Sequence, residues 1–390
     1  MNQSPVVSRT PILLVIITFL AFISLGLPDG LLGIAWPSIS SRARVTIDSL
    51  GILLIAFTLG YLATSSASGK LIKLMPLGIL LTISCFLTAM SLLTFALSSQ
   101  WHILIIASFF LGSGGGAIDA SINTFAASHF NASTVNWLHA SYGIGATIGP
   151  LLVTIMLANE YQWFQSYLIV VGVQLSLALL FLSTRKNWKA SSKDEDQHST
   201  SEYFETLKIP AVWISMLIFF LYTGLEQGFG QWLYTILTKT RGISQNTAGI
   251  WVSCYWGSLT VGRIFFAILL NTIPVKNAVP AALIGIVIGA SCFATDYNNT
   301  ITLLGILVLG FSNAPIFPSL IAMTPDRVGK EHAATAIGVQ ISMAMLGTAL
   351  IPGAAGLLSV QFGLQVIATV FVISALTLLA VYQLSAKQKS

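Results

Sequence analysis

The sequence predicts an all-α membrane protein of about twelve transmembrane helices in two six-helix repeats. Composition is the first observation. The 390 residues are 55% hydrophobic and only 8% charged, with a mean hydropathy of +0.83, whereas soluble domains carry about 25% charged residues. Length is the second: apolar runs of about twenty residues, enough to cross a hydrocarbon core ~30 Å thick as a helix, recur along the chain. They lack the two-residue alternation of a barrel strand, so helices must satisfy the backbone in lipid. The third is a single long polar segment, Thr184 to Lys208, that divides the runs six and six.

Taken in order, Arg9 and the run from Pro11 are too long for a signal peptide and open the first span, 11–35. It contains Pro28-Asp29-Gly30, where proline removes a ladder hydrogen bond, so a kinked or partly unwound helix is expected. Spans at 46–68 and 77–97 follow, then 101–128 with the run Gly112-Ser113-Gly114-Gly115-Gly116 ahead of Asp119 and Asn123. The fifth, 134–158, opens on Asn136, Trp137 and His139, and 163–183 closes the first bundle. Lys193 to Thr200, mixed in charge and rich in polar residues, reads as a solvated linker. The second bundle is expected at 210–237, 246–270, 276–294, 300–322, 331–358 and 362–384. The organisation is therefore a bundle over 1–183, a linker over 184–208 and a bundle over 209–390.

Charge and cysteine content exclude several classes. The net charge of +5 comes from scattered Lys and Arg without a patch for nucleic acid, and it reads as topology: fourteen lie on the side of the termini and linker against four on the other. Both termini are thus expected in the cytoplasm, with the chain in the inner membrane. Cys85, Cys254 and Cys292 lie in apolar spans without ligand spacing, so no metal or cofactor is expected. Gly112-x-Gly114-x-x-Ala117 lacks the strand context of a nucleotide loop, and no GxxxxGK[ST] or catalytic arrangement is present, so neither an enzyme nor an ATPase is expected.

The two bundles echo each other. Gly26-Leu27-Pro28-Asp29-Gly30 recurs 198 positions later as Gly224-Leu225-Glu226-Gln227-Gly228, and the same step takes Gly51 to Gly249 and Gly112 to Gly310. Gly145 and Pro150 match Gly347 and Pro352 at the same internal spacing. Paired repeats enclosing a midplane site are the plan of secondary transporters.

Acids within spans mark ion or solute paths, since each costs roughly 2.5–3.5 kcal/mol to insert. Asp119 and Asn123 share a helix face with Gly112 and Gly116, and a carboxyl out of water can exchange a proton instead of holding a fixed charge. Asp29 and Asp119 are the proton candidates, with His139 a candidate relay. The step of 198 from Asp119 falls on Phe317, so proton chemistry is expected in the first bundle alone. Glu226, Gln227, Gln231 and Trp232 offer acceptors, amides and a ring for a polar, hydroxyl-bearing solute. Asn313 and Gln340 add polar positions within the second bundle, and Arg263 ends the eighth span, where snorkelling or a gate ion pair is expected.

This plan resembles the major facilitator superfamily across essentially the whole chain. Gly26 to Gly33, Gly112 to Asn123 and His139 to Pro150 look like the fucose/proton symporter family and its sugar-transporting relatives. The resemblance implies that Asp29 and Asp119 form the proton-coupling pair, with Asn123 as polar partner. Two features depart from it: the loop Gly69-Lys70-Leu71-Ile72-Lys73 lacks the usual Asp, and Gly145-x-x-x-Gly149-Pro150 matches only the core of the antiporter signature. The expected function is proton-coupled symport of a small polar solute, a sugar, by a monomer embedded in lipid, with sodium as an alternative ion. The alternative is a proton-coupled antiporter exporting a drug, siderophore or other metabolite.

Overall fold

The computed structural model describes residues 11–130, 132–188, 200–269 and 274–387. Among these residues twelve helical stretches are long and apolar enough to cross a membrane. The helices are α1 (Ile12–Ala43), α2 (Leu50–Leu74), α3 (Leu77–Leu97), α4 (Trp101–His129), α5 (Ala132–Ala158), α6 (Trp163–Ser183), a short α7 (Thr200–Leu207), α8 (Pro210–Thr235), α9 (Gln245–Leu269), α10 (Val275–Thr295), α11 (Asn299–Asn313), α12 (Ile316–Val328), α13 (Lys330–Phe362) and α14 (Val366–Lys387). Most of the polar linker, 189–199, lies outside the described residues.

The expected spans at 77–97 and 163–183 coincide with α3 and α6. Others run past the hydrocarbon they need to cross. α1 continues to Ala43 and stops where Arg44 turns left-handed at φ 56° and donates its N–H to Ser40 and Ser41. The tenth span is two helices, because Pro315 and Pro318 have no N–H to carry the ladder past Asn313.

The expected unwinding at Pro28 does not occur: α1 is continuous there. Pro28 deprives the Ser24 carbonyl of its helical donor, and the Gln174 side chain of α6 donates to that carbonyl at 3.1 Å. A side chain from a neighbouring helix thus completes the ladder, as membrane helices containing proline require.

The first and last six spans use the same pairings. α2 packs on α4, α1 on α5 and α3 on α6, and correspondingly α9 packs on α11, α8 on α13 and α10 on α14. Glycines set the closest crossings. A methyl added at Gly112 would lie 1.9 Å from the Phe57 carbonyl oxygen, and one at Gly310 2.4 Å from that of Tyr255. Phe57 and Tyr255 are themselves 198 positions apart, so the repeat read along the chain is also a repeat of contacts. Gly145 against Ile23 and Gly347 against Phe220 repeat a helix crossing in the same way, though not at the 198-residue step.

Because each span crosses the bundle once, the linker and the described chain ends share one side. Contacts between the two sets cluster towards the other, far side. There Gly51 meets Gly353, Gly249 meets Thr154, and Gly33 meets the backbone of Gly230 and Gln231. Nearer the middle, Thr147 and Thr260 hydroxyls are 3.4 Å apart. Further towards the linker side, His139 on α5 is exposed. On the far side Arg42 donates to the Ala96 and Leu97 carbonyls at 2.9 Å each, and Arg241 pairs with Asp296 at 3.2 Å over the Phe293 ring. These two arginines, expected only to mark topology, also pin the ends of α1 and α8 to their bundles.

Candidate functional site

Polar side chains converge where α1, α5, α8 and α9 face one another, with a second acid behind them between α2 and α4. The glycines explain the second acid's position. Gly112 and Gly116 admit the backbone of α2, which brings Tyr61 against the same face of α4. Its hydroxyl donates to Asp119 Oδ2 at 2.5 Å. Asn123, one turn on, donates to Oδ1 at 3.0 Å, as the i,i+4 spacing requires. His139 reaches this carboxyl electrostatically and packs edge-on against Phe22 at 5.3 Å.

Asp29 is half-buried on α1. Its Oδ2 accepts from the Tyr142 hydroxyl of α5 at 2.5 Å, and its backbone carbonyl accepts from Gln231 of α8 at 3.1 Å. Asp29 and Asp119 are therefore each held by one phenol. The counterpart of Asp119 in the last six spans, Phe317, stacks edge-on with Phe219 in an apolar setting.

Glu226 is buried on α8, with one oxygen 3.6 Å from Arg263 Nη2 and the other accepting from Tyr222. Gln227 lies beside the same carboxyl. The Tyr255 hydroxyl donates to the Glu226 backbone carbonyl at 2.8 Å and accepts from Asn313 Nδ2 at 3.2 Å. The Asn313 carbonyl, at the break between α11 and α12, lies 3.1 Å from Tyr222 Oη. Arg263 also stands over the Tyr142 ring, 6.0 Å from its centroid. Tyr142 thus touches Asp29 with its hydroxyl and the cation with its face.

The expected residues divide. Asp29, Asp119, Asn123, Glu226, Gln227, Gln231 and Asn313 belong to this polar cluster, and His139 stands at its exposed edge. Trp232 does not: it is fully buried, its indole N–H donates to the Pro352 carbonyl at 2.9 Å, and it fills the space over Gly356. Gln340 is likewise enclosed, donating to Ser215 at 2.9 Å and accepting from Thr324 at 3.1 Å, which ties α8, α12 and α13 together. Of the two expectations for Arg263, the ion pair forms, with Glu226, and the side chain points into the bundle instead of snorkelling. Tyr61, Tyr142 and Tyr222 were absent from the expected set. Only Tyr222, four residues before Glu226 on one helix, carried a local signal.

The arrangement can hold and release protons at two carboxyls and present donors and acceptors to a polar solute between the two sets of spans. The chain matches the family model for the Major Facilitator Superfamily over residues 14–295 and 233–389. It is 23% identical over 313 residues to the glucose/mannose transporter GlcP of Bacillus subtilis, covering 78% of this chain and 77% of that protein. It is also 23% identical over 385 residues to the human sodium-dependent glucose transporter 1, covering 88% and 73%. Among solved structures, the nucleoside transporter NupG superposes with a TM-score of 0.78 at 14% identity over 97% of this chain and 99% of that one. The transporter FucP in its outward conformation gives 0.67 at 18% identity over 98% and 100%. At these identities the structural likeness is one of fold.

Proposed function

The chain belongs to the major facilitator superfamily, and from that premise we propose that it is a secondary transporter that carries a sugar in symport with protons. The observation that carries this reading is the pair of span-embedded acids, Asp29 and Asp119, each capped by a phenol from a neighbouring helix. A carboxyl so held keeps a hydrogen-bond partner whether charged or neutral, because a phenol both donates and accepts. Asn123 positions Asp119, and His139 serves as the relay at the exposed edge. Gln227 contacts the solute, while Gln231 and Asn313, both enclosed, hold the Asp29 carbonyl and the Tyr255 hydroxyl in place around it. The sugar reading is supported by the names of the two relatives, both glucose transporters.

Transport proceeds by rocking of the first six spans, 1–183, against the last six, 209–390, about the site between them. The contacts on the far side favour a conformation open towards the linker side. With the linker and termini in the cytoplasm, as the Lys and Arg bias indicates, this is the inward-open form.

Two alternatives differ in coupling. Sodium is favoured by the name of the human relative, since carboxylates and carbonyls also coordinate that ion. Antiport rested on Gly145 and Gly149, and these two glycines have a packing role: both press α5 against the α1 backbone. In proteoliposomes, sugar accumulation is expected to follow an inward proton gradient and to be lost in Asp119→Asn while sugar exchange persists. Full gradient-driven accumulation by that variant removes Asp119 from the mechanism. Accumulation driven only by an inward sodium gradient replaces the proton, and accumulation under the reversed proton gradient makes the protein an antiporter.

A further inference from the structure

We infer that Arg263 is a solute-contacting residue and that its pairing with Glu226 restricts the site to uncharged, hydroxyl-rich solutes. This rests on the sugar reading and narrows it. Arg263 lies on α9 and Glu226 on α8, both in the last six spans, so the cation and its counter-charge travel together. The Arg263 side chain is 19% exposed and that of Glu226 5%, so the carboxylate lies beneath the guanidinium and the cation is what faces the space between the two sets.

A guanidinium has five N–H donors. Its contacts here, one edge at 3.6 Å to Glu226 and one face over the Tyr142 ring, leave donors for a solute. Tyr142 of α5 and Glu226 of α8 touch it; His139 of α5, Tyr222 of α8 and Tyr255 of its own helix lie within electrostatic reach; and α11, which also packs on α9, carries no titratable side chain. Asp29 of α1 is reached through Tyr142.

The charge pattern decides the class of solute. An unpaired arginine in a low-dielectric site demands an anion, which the solute would have to supply. Glu226 already supplies it. The opposing wall adds Asp29 behind Tyr142, so a carboxylate on the solute would meet a guanidinium whose charge is already cancelled and an acid that gives it no cation to pair with in either protonation state. A neutral polyol meets no such penalty, and the guanidinium still gives it strong donors, because hydrogen bonds from an ionised group are about twice as strong as neutral ones. Glu226 is then a positioning residue: it fixes the guanidinium and cancels its charge.

The test compares ligands of one ring shape and different charge. The purified full-length protein is titrated by thermal shift with D-glucose, D-galactose and D-mannose, and with the uronate of each. The wild type is expected to bind at least one hexose and to bind its uronate weaker by about tenfold or more, the size of effect a single charged hydrogen bond has on affinity. Glu226→Gln, which leaves the guanidinium without its counter-charge, is expected to reverse the preference, and Arg263→Gln to weaken both ligands. A wild type that binds the uronate as tightly as the hexose, or an unchanged preference in a folded Glu226→Gln, overturns the inference and leaves the sugar reading standing. If Glu226→Gln does not fold, the double variant Glu226→Gln/Arg263→Gln, which removes both charges, is expected to lose hexose affinity by a similar factor. Wild-type affinity in that double variant overturns the contact. Binding of none of the six ligands by the wild type overturns the sugar reading and this inference with it.

Discussion

The Ser24 carbonyl, freed by Pro28 and taken up by Gln174, is a hydrogen bond between side chain and helix whose worth can be measured. Gln174→Leu keeps the volume and removes the donor, and it is expected to lower thermal stability in detergent by about 1 kcal/mol, within the range for hydrogen bonds between membrane helices. Pro28→Ala restores the backbone donor, so the double variant is expected to recover most of the loss; purely additive losses would show that Gln174 acts by packing instead. At this scale the sequence was legible where partners share a helix turn, as Asp119 and Asn123 do. It was silent on Tyr61 and Tyr142, which reach their acids across 58 and 113 positions. Trp232 and Gln340 misled for the opposite reason: polar atoms in a span need partners, and here the partners are within the bundle. For Arg263 the ion-pair alternative holds, but its partner, Glu226, lies on another helix and left no local signal in the sequence.

Helices were the most legible feature, since length and hydropathy alone decide them. Their ends were not, because α1 and α13 continue beyond the hydrocarbon on residues that hydropathy does not see. The break at Asn313 was signalled by Pro315 and Pro318. Pro28 gave a similar signal and α1 stayed whole, the difference being a donor on another helix. The glycine crossings offer a test at this scale. Gly112→Ala and Gly310→Ala each drive a methyl against a carbonyl of the partner helix, and each is expected to cost about 1–3 kcal/mol, as overpacking does. Gly115→Ala is expected to be tolerated, because the nearest atom to the added methyl is Leu25 Cδ2 at 3.8 Å. Equal losses at all three positions, read as melting temperatures, would show that helix flexibility and not close approach is at stake.

In the rocking proposed above, the contacts on the far side must form and part. A methyl at Gly51 would lie 2.7 Å from the Gly353 Cα, so Gly51→Trp is expected to hold the far side open. Thr58, whose hydroxyl donates to the Met345 carbonyl across the same seam at 3.4 Å, provides the reporter. A cysteine introduced there is expected to react faster with an impermeant maleimide in the Gly51→Trp background; an unchanged rate would mean that this seam does not gate access. The repeat made the inter-set pairing of α2 with α13 and α5 with α9 foreseeable in kind, but which side was closed had no trace in the sequence.

The pairing of Arg263 with Glu226 within one set of spans has an electrical consequence. A unit charge moved through the full membrane field changes the free energy by about 2.3 kcal/mol per 100 mV. The cation and the carboxylate ride together, so the last six spans move no net charge from this pair. In the proton symport proposed above, Asp29 and Asp119 add none when they carry protons. The loaded carrier would then cross its midpoint without feeling the membrane potential, and voltage would act only on the empty return, when the two acids travel bare.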